Sequence, residues 1–168
     1  PTFTEWHDLQ VNEINRLPLH TLHFAYDPND FPGTGAEYLD KKKSMNYLSL
    51  DGTWKFNWVA NADERPTDFY KTDLDDSKWK NIQMPGNWEM LGYGQPEYVN
   101  VGFAWRGHFN QQPPAVPTKD NHVGSYRREI NIPANWDGKR VIAHFGSVTS
   151  NIYLYVNGQF AGYAEDSK

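Results

Sequence analysis

Asn151-Ile152-Tyr153-Leu154-Tyr155-Val156-Asn157-Gly158-Gln159-Phe160-Ala161-Gly162-Tyr163-Ala164 is the stretch that decides the fold class. Asn-Gly is the strongest short hairpin signal, because a two-residue type I′ turn needs positive φ at both central positions. Asn151–Val156 reads as the strand entering the turn and Phe160–Ala164 as the strand leaving it. A second signal lies upstream at Tyr47–Ala60, where Trp54, Phe56 and Trp58 alternate with Lys55 and Asn57. That period of two marks a half-buried strand, entered through an Asp51-Gly52 turn. Trp79–Met84, Val123–Ile132 and Arg140–Phe145 make six strands in all, with hardly any amphipathic helix. The expected fold is all-β, an antiparallel β-sandwich of jelly-roll type. Ala164-Glu165-Asp166-Ser167-Lys168 stops without a closing strand, so the sandwich is expected to be truncated at its C-terminal strands, with an open edge.

Composition supports one domain. The 168 residues suffice for a real core, and 15% aromatic content offsets a hydrophobic share of 38%. The net charge of -5 argues against a nucleic-acid surface, which needs clustered Lys and Arg. Lys41-Lys42-Lys43 follows Glu37 and Asp40 and reads as a solvated turn. With Cys 0, neither disulfides nor thiolate metal sites contribute. No stretch approaches the ~20 apolar residues of a membrane span, and no signal-peptide core is present. A soluble protein without membrane or nucleic-acid partners is expected, and its compartment, cytoplasmic or periplasmic, is left open. Residues 1–45 read as an irregular arm anchored by Trp6, Val11, Ile14, Leu17 and Leu19. Residues 46–168 form the sandwich domain, with a long loop at 84–122.

That loop carries the functional signal. Met84-Pro85-Gly86-Asn87-Trp88-Glu89-Met90-Leu91-Gly92-Tyr93 runs on to Tyr98-Val99-Asn100-Val101 without helical or strand periodicity. A long irregular segment inside a compact domain is usually a working surface. It holds no nucleophile–base pair and no metal-ligand spacing. Flat aromatic faces beside amide donors and acceptors suit the gripping of a sugar.

Four ordered blocks resemble the family 2 glycoside hydrolases, and among them the long β-galactosidases. Asn15-Arg16-Leu17-Pro18-Leu19-His20 resembles their "NR…H" segment, and Ser49-Leu50-Asp51-Gly52-Thr53-Trp54-Lys55-Phe56 their "SLNGxWxF" strand. The loop, continued by Pro96-Glu97-Tyr98-Val99-Asn100-Val101, is similar to "VPxNWxxxGYxxPxYxNV". Pro113-Pro114-Ala115-Val116-Pro117, Val123-Gly124-Ser125-Tyr126-Arg127-Arg128, Val156-Asn157-Gly158 and Gly162-Tyr163-Ala164-Glu165-Asp166-Ser167 complete the set. The resemblance implies an N-terminal jelly-roll domain, galactose-binding-domain-like, in a multidomain enzyme that hydrolyses terminal β-D-galactosides with retention. The two catalytic glutamates, roughly 5–5.5 Å apart, belong to a downstream barrel, so this chain alone is expected to be inactive. Magnesium and sodium are implied for the intact enzyme and no cofactor for this chain. Its expected partners are the galactoside, the remaining domains and further copies in a homo-oligomer.

The resemblance assigns Asn100 to the hydroxyls of the galactosyl unit and Val101 to the pocket wall. An amide can read a hydroxyl in either sense, which fits that role. Tyr98, Trp105 and His108 are candidates for weaker contacts; the last two lie where Gly102-Phe103-Ala104-Trp105 and the longer Arg106–Gln112 insertion diverge from the family, free to meet an aglycone or another subunit. His122 stands where a proline before "VGxY" is common. Trp88 and Tyr98 either stack on a pyranose or pin the loop to the sandwich, and packing is at least as well supported. His20 and His23, at i, i+3 beside Pro18, lack a helix and a third ligand, which favours a structural role and no metal. Glu165 and Asp166 diverge on an extended chain and cannot flank one glycosidic bond. Arg127 and Arg128 diverge likewise, one pairing with an acid and the other facing solvent. Two other readings remain: a non-catalytic carbohydrate-binding module, and a structural or oligomerisation domain of a related β-glucuronidase or β-mannosidase.

Overall fold

A computed structural model describes residues 1–21, 23–30, 40–96 and 115–165. These residues are all-β, with strands β1 (Glu13–Ile14), β2 (Gly52–Val59), β3 (Lys80–Met84), β4 (Val123–Arg127), β5 (Asn151–Val156) and β6 (Gln159–Glu165). They form two antiparallel three-stranded sheets, in the orders β1-β6-β5 and β3-β2-β4. This layout agrees with the expected sandwich. No helix among the described residues is long and apolar enough to cross a membrane.

The hairpin forms as its sequence dictates. Asn157 and Gly158 have φ of 49° and 78°, the two left-handed positions of a type I′ turn. The β5–β6 register shifts between Leu154 and Tyr155, so that Leu154 faces Gly162 while Tyr155 faces Phe160. Gly162 also lets a third strand in: a Cβ there would lie 3.0 Å from the Ile14 carbonyl of β1. Asn15 then donates from its amide to the Ala161 carbonyl at 2.6 Å, and the Glu165 N–H donates to the Asn12 carbonyl at 3.1 Å. The arm is therefore part of a sheet at Glu13–Ile14, a two-residue pairing too short to leave a periodic signal.

β2 lies between β3 and β4 and supplies Phe56, which with Tyr163 of β6 is among the two largest fully buried side chains. Removing either ring from water stabilises the fold by about 1.5–3 kcal/mol. Much of the remaining packing is ring on ring. Phe3 of the arm lies 5.4 Å from Tyr153 and 6.2 Å from Phe69, and Tyr70 stacks on Tyr155 at 4.6 Å. Arg127 clamps the polar 61–78 segment, donating to Asp76 at 3.0 Å and to the Phe69 and Lys71 carbonyls at 2.6 and 2.8 Å. Arg128 is the solvent-side partner of the pair, and it binds the Leu50 and Asp51 carbonyls.

Two strand expectations are corrected. Val123–Ile132 is a strand only as far as Arg127, and Arg140–Phe145 is not a strand. Ile130, Ile132, Val141 and Ile142 are instead about half exposed, at 46, 48, 51 and 54%. A strand needs a ladder partner for its N–H and C=O groups, and these stretches find none among the described strands.

Candidate functional site

The long loop leaves β3 at Met84 and folds back over the β2–β4 face. Residues Trp88–Leu91 make one 3₁₀ turn, stopped by Gly92 in the left-handed conformation at φ 89°. The Tyr93 N–H closes it on the Trp88 carbonyl at 3.2 Å. This turn aims Trp88 at Gly124 of β4, where an added Cβ would meet the indole at 2.4 Å. The missing side chain of Gly124 is thus the seat of the Trp88 ring. Phe56 lies under the same ring, with centroids 6.1 Å apart.

Tyr93 adds an edge contact on Phe56 at 4.9 Å and lies 6.3 Å from Trp58, while His122 packs on Trp58 at 5.0 Å. Gly94, at φ 74°, brings the backbone within 3.1 Å of the His122 ring, measured from where its Cβ would be. The return limb is tied down separately. The Ala62 N–H donates to the Thr118 carbonyl at 2.8 Å, the Asp120 N–H to the Asn61 side chain at 3.0 Å, and the Asn121 amide to the Pro117 carbonyl at 2.9 Å. Both limbs of the loop are therefore anchored to the sandwich.

The anchoring decides between the two uses considered for Trp88. Its ring is taken up by Gly124 and Phe56, which makes it a packing element of the loop root. Tyr98, Asn100, Val101, Trp105 and His108 lie outside the described residues, so the structure gives no position for them. Sequence reading overlooked Gly124 and undervalued His122. The signal for Gly124 was available, since a glycine inside a strand commonly marks the close approach of another group.

The root carries an electrostatic oddity. The indole N–H groups of Trp58 and Trp88 are buried without hydrogen-bond partners among the described residues. Each such group costs about 1–3 kcal/mol. Tyr126, 4.8 Å from Phe56, has its hydroxyl pushed up to about 12 by burial and, secondarily, by the Glu89 carboxylate. It stays protonated at neutral pH. No group of three or more His, Cys, Asp or Glu among the described residues could hold a metal ion. What these residues do is position a loop, through rings and backbone contacts.

The carboxylates outside the loop serve the scaffold. Glu165 accepts from the Tyr163 hydroxyl at 3.0 Å, as befits a structural acid. Glu5, only 6% exposed, accepts from the Tyr153 hydroxyl at 2.9 Å and from the Thr2 N–H at 2.8 Å. Burial pushes its carboxyl up, but hydrogen bonds from the Thr2 and Glu5 amides, Tyr153 and the Thr2 hydroxyl outweigh this and hold it at about 2. Nothing in the sequence flags this contact, because its partners are 148 residues apart.

Comparison with known proteins places this architecture. The family "Glycosyl hydrolases family 2, sugar binding domain" matches residues 47–168. A β-galactosidase of Halalkalibacterium halodurans is 38% identical over 161 residues, covering 95% of this chain. One from Lactobacillus delbrueckii subsp. bulgaricus is 39% identical over the same share of the chain. The β-galactosidase large subunit of Leuconostoc lactis is 34% identical, again over 95% of the chain. The chain spans only 15% of the first two relatives and 26% of the third. A family match across β2 to β6, the loop included, shows that this chain belongs to the sugar binding domain family of the family 2 glycosyl hydrolases.

Proposed function

We infer that the chain serves as the N-terminal sugar-binding domain of a β-galactosidase that hydrolyses terminal β-D-galactosides with retention. The observation that carries this reading is the match of 95% of the chain, at 38 and 39% identity, to two proteins named β-galactosidase. In this role Asn100 and Val101 at the loop's far end form one wall of the galactosyl pocket, with Tyr98, Trp105 and His108 as lesser contacts. The anchored root made by Trp88, Tyr93 and His122 fixes where that wall stands. The two catalytic glutamates belong to other domains of the same polypeptide. Magnesium and sodium of the intact enzyme are assigned to those domains too. The substrate, the remaining domains and a homo-oligomeric assembly are its partners.

The test is hydrolysis followed by NMR. The full-length enzyme should release the β-anomer of galactose first from a β-galactoside, and the 168-residue chain alone should release none. Release of the α-anomer, or turnover by the isolated chain, would refute the assignment. Calorimetric titration of the isolated chain with galactose or lactose should show no millimolar binding, because half of the pocket is elsewhere. Clear saturation would favour a freestanding carbohydrate-binding module.

A further inference from the structure

Ile130, Ile132, Val141, Ile142 and Phe145 expose large apolar side chains within one stretch of chain, 130–145. A solvated connection in this molecule has a different composition: 61–78 carries Asp63, Glu64, Asp68, Asp73, Asp75 and Asp76. Single exposed apolar residues need no explanation, but a run of them marks a surface that meets another. The backbone agrees. No backbone hydrogen bond joins 129–132 or 140–145 to any other described residue. β4, which leads into the stretch, pairs with β2 alone, and β5, which follows it, pairs with β6 alone. Two free sheet edges therefore flank a segment that alternates like a strand where Asn131 separates Ile130 from Ile132.

Apolar faces and free ladder groups on the same residues call for a strand, which satisfies both at once. We propose that 129–132 and 140–145 are the docking surface for a strand-forming segment of the same polypeptide that lies outside residues 1–168. The proposal rests on the reading of the chain as one domain of a longer β-galactosidase. The relatives show how much chain such an enzyme has to offer, since this chain spans only 15% of two of them and 26% of a third. A segment of the same polypeptide is held at high effective concentration, an advantage that a second copy lacks. The chemistry of the occupant follows from the surface. It alternates β-branched or aromatic residues with polar ones and keeps proline out of its ladder positions.

The full-length enzyme carrying the photoreactive residue p-benzoylphenylalanine at Ile130 or at Ile142 tests the contact, with products read on denaturing gels and by peptide mass spectrometry. Irradiation should join each position, at monomer mass, to a peptide from outside residues 1–168. Hydrogen exchange of the unaltered enzyme should show the amides of 129–132 and 140–145 slowed about a hundredfold or more relative to unstructured chain. Crosslinks confined to residues 1–168, crosslinks at dimer mass, or no crosslink at all overturn the proposal. Exchange at the unstructured rate overturns it as well. Galactose release from a β-galactoside by the unaltered enzyme is measured separately; its absence removes the β-galactosidase reading and leaves the crosslinks to decide the docking.

Discussion

The molecule contains two aromatic clusters that resemble each other in composition and differ in how their polar atoms are treated. In the β5–β6 hairpin, the hydroxyls of Tyr153 and Tyr163 are paired with Glu5 and Glu165. At the root of the long loop, the indole N–H groups of Trp58 and Trp88 are buried without partners among the described residues. The hairpin cluster is finished: rings bury area, hydroxyls meet carboxylates, and the arm is locked across 148 residues of sequence. The loop root is packed for shape but not satisfied for hydrogen bonding. Polar atoms left unpaired inside a native protein call for a reason. The difference separates a cluster whose polar atoms are satisfied from one packed for shape alone.

Substitutions can break that contrast, and the largest effect is expected at Gly124. Gly124→Ala places a methyl 2.4 Å from the Trp88 ring and 2.9 Å from Phe56, so the loop root must move. Overpacking of this kind costs about 1–3 kcal/mol, measurable by chemical denaturation. An unchanged midpoint would mean that Trp88 is not held there. Next comes Tyr153→Phe, which removes a donor to Glu5 and an acceptor for the Trp6 N–H. A hydrogen bond to a charged group contributes about 1.5–3 kcal/mol, so a loss toward the lower end is expected by the same assay. Trp88→Phe should be the mildest of these changes. It deletes an N–H that has no partner among the described residues, which offsets lost ring area, and the net change should stay within about 1 kcal/mol. If Trp88→Phe costs more than Tyr153→Phe, the contrast between the clusters fails.

Acid sharpens the same comparison. The Glu5 carboxyl is held near 2, below its ordinary value of 4.5, so its contribution is fully present above the ordinary value. That contribution is lost progressively as pH falls from about 4.5 toward 2. Thermal melts should therefore show an acid-dependent loss in the native protein that is smaller in Glu5→Gln. Identical slopes would show that the arm is not held by this carboxylate.

Legibility from sequence followed the range of the interactions. The hairpin was legible because Asn157-Gly158 encodes its own turn, and β2 because Trp54, Phe56 and Trp58 alternate on one strand. Arg140–Phe145 carries the same apolar character yet forms no strand, since pairing depends on a neighbour that the stretch does not itself encode. Glu5 and Tyr153, and Trp88 and Gly124, were invisible as pairs because each meets its partner only after folding. The loop's importance was legible, but the division of labour within it was not. In the sequence Trp88 reads either as a sugar platform or as a packing residue, with packing at least as well supported, and Gly124 beneath the ring decides for packing. The residues proposed to meet substrate rest on the family pattern.

We propose that the loop's anchored root supports a glycone contact made by Asn100. Its most direct test is the kcat/KM of Asn100→Ala in the full-length enzyme on a β-galactoside. A fall of about ten- to a hundredfold is expected, the scale of one or two hydrogen bonds lost in the transition state. Kinetics equal to those of the unaltered enzyme would contradict it.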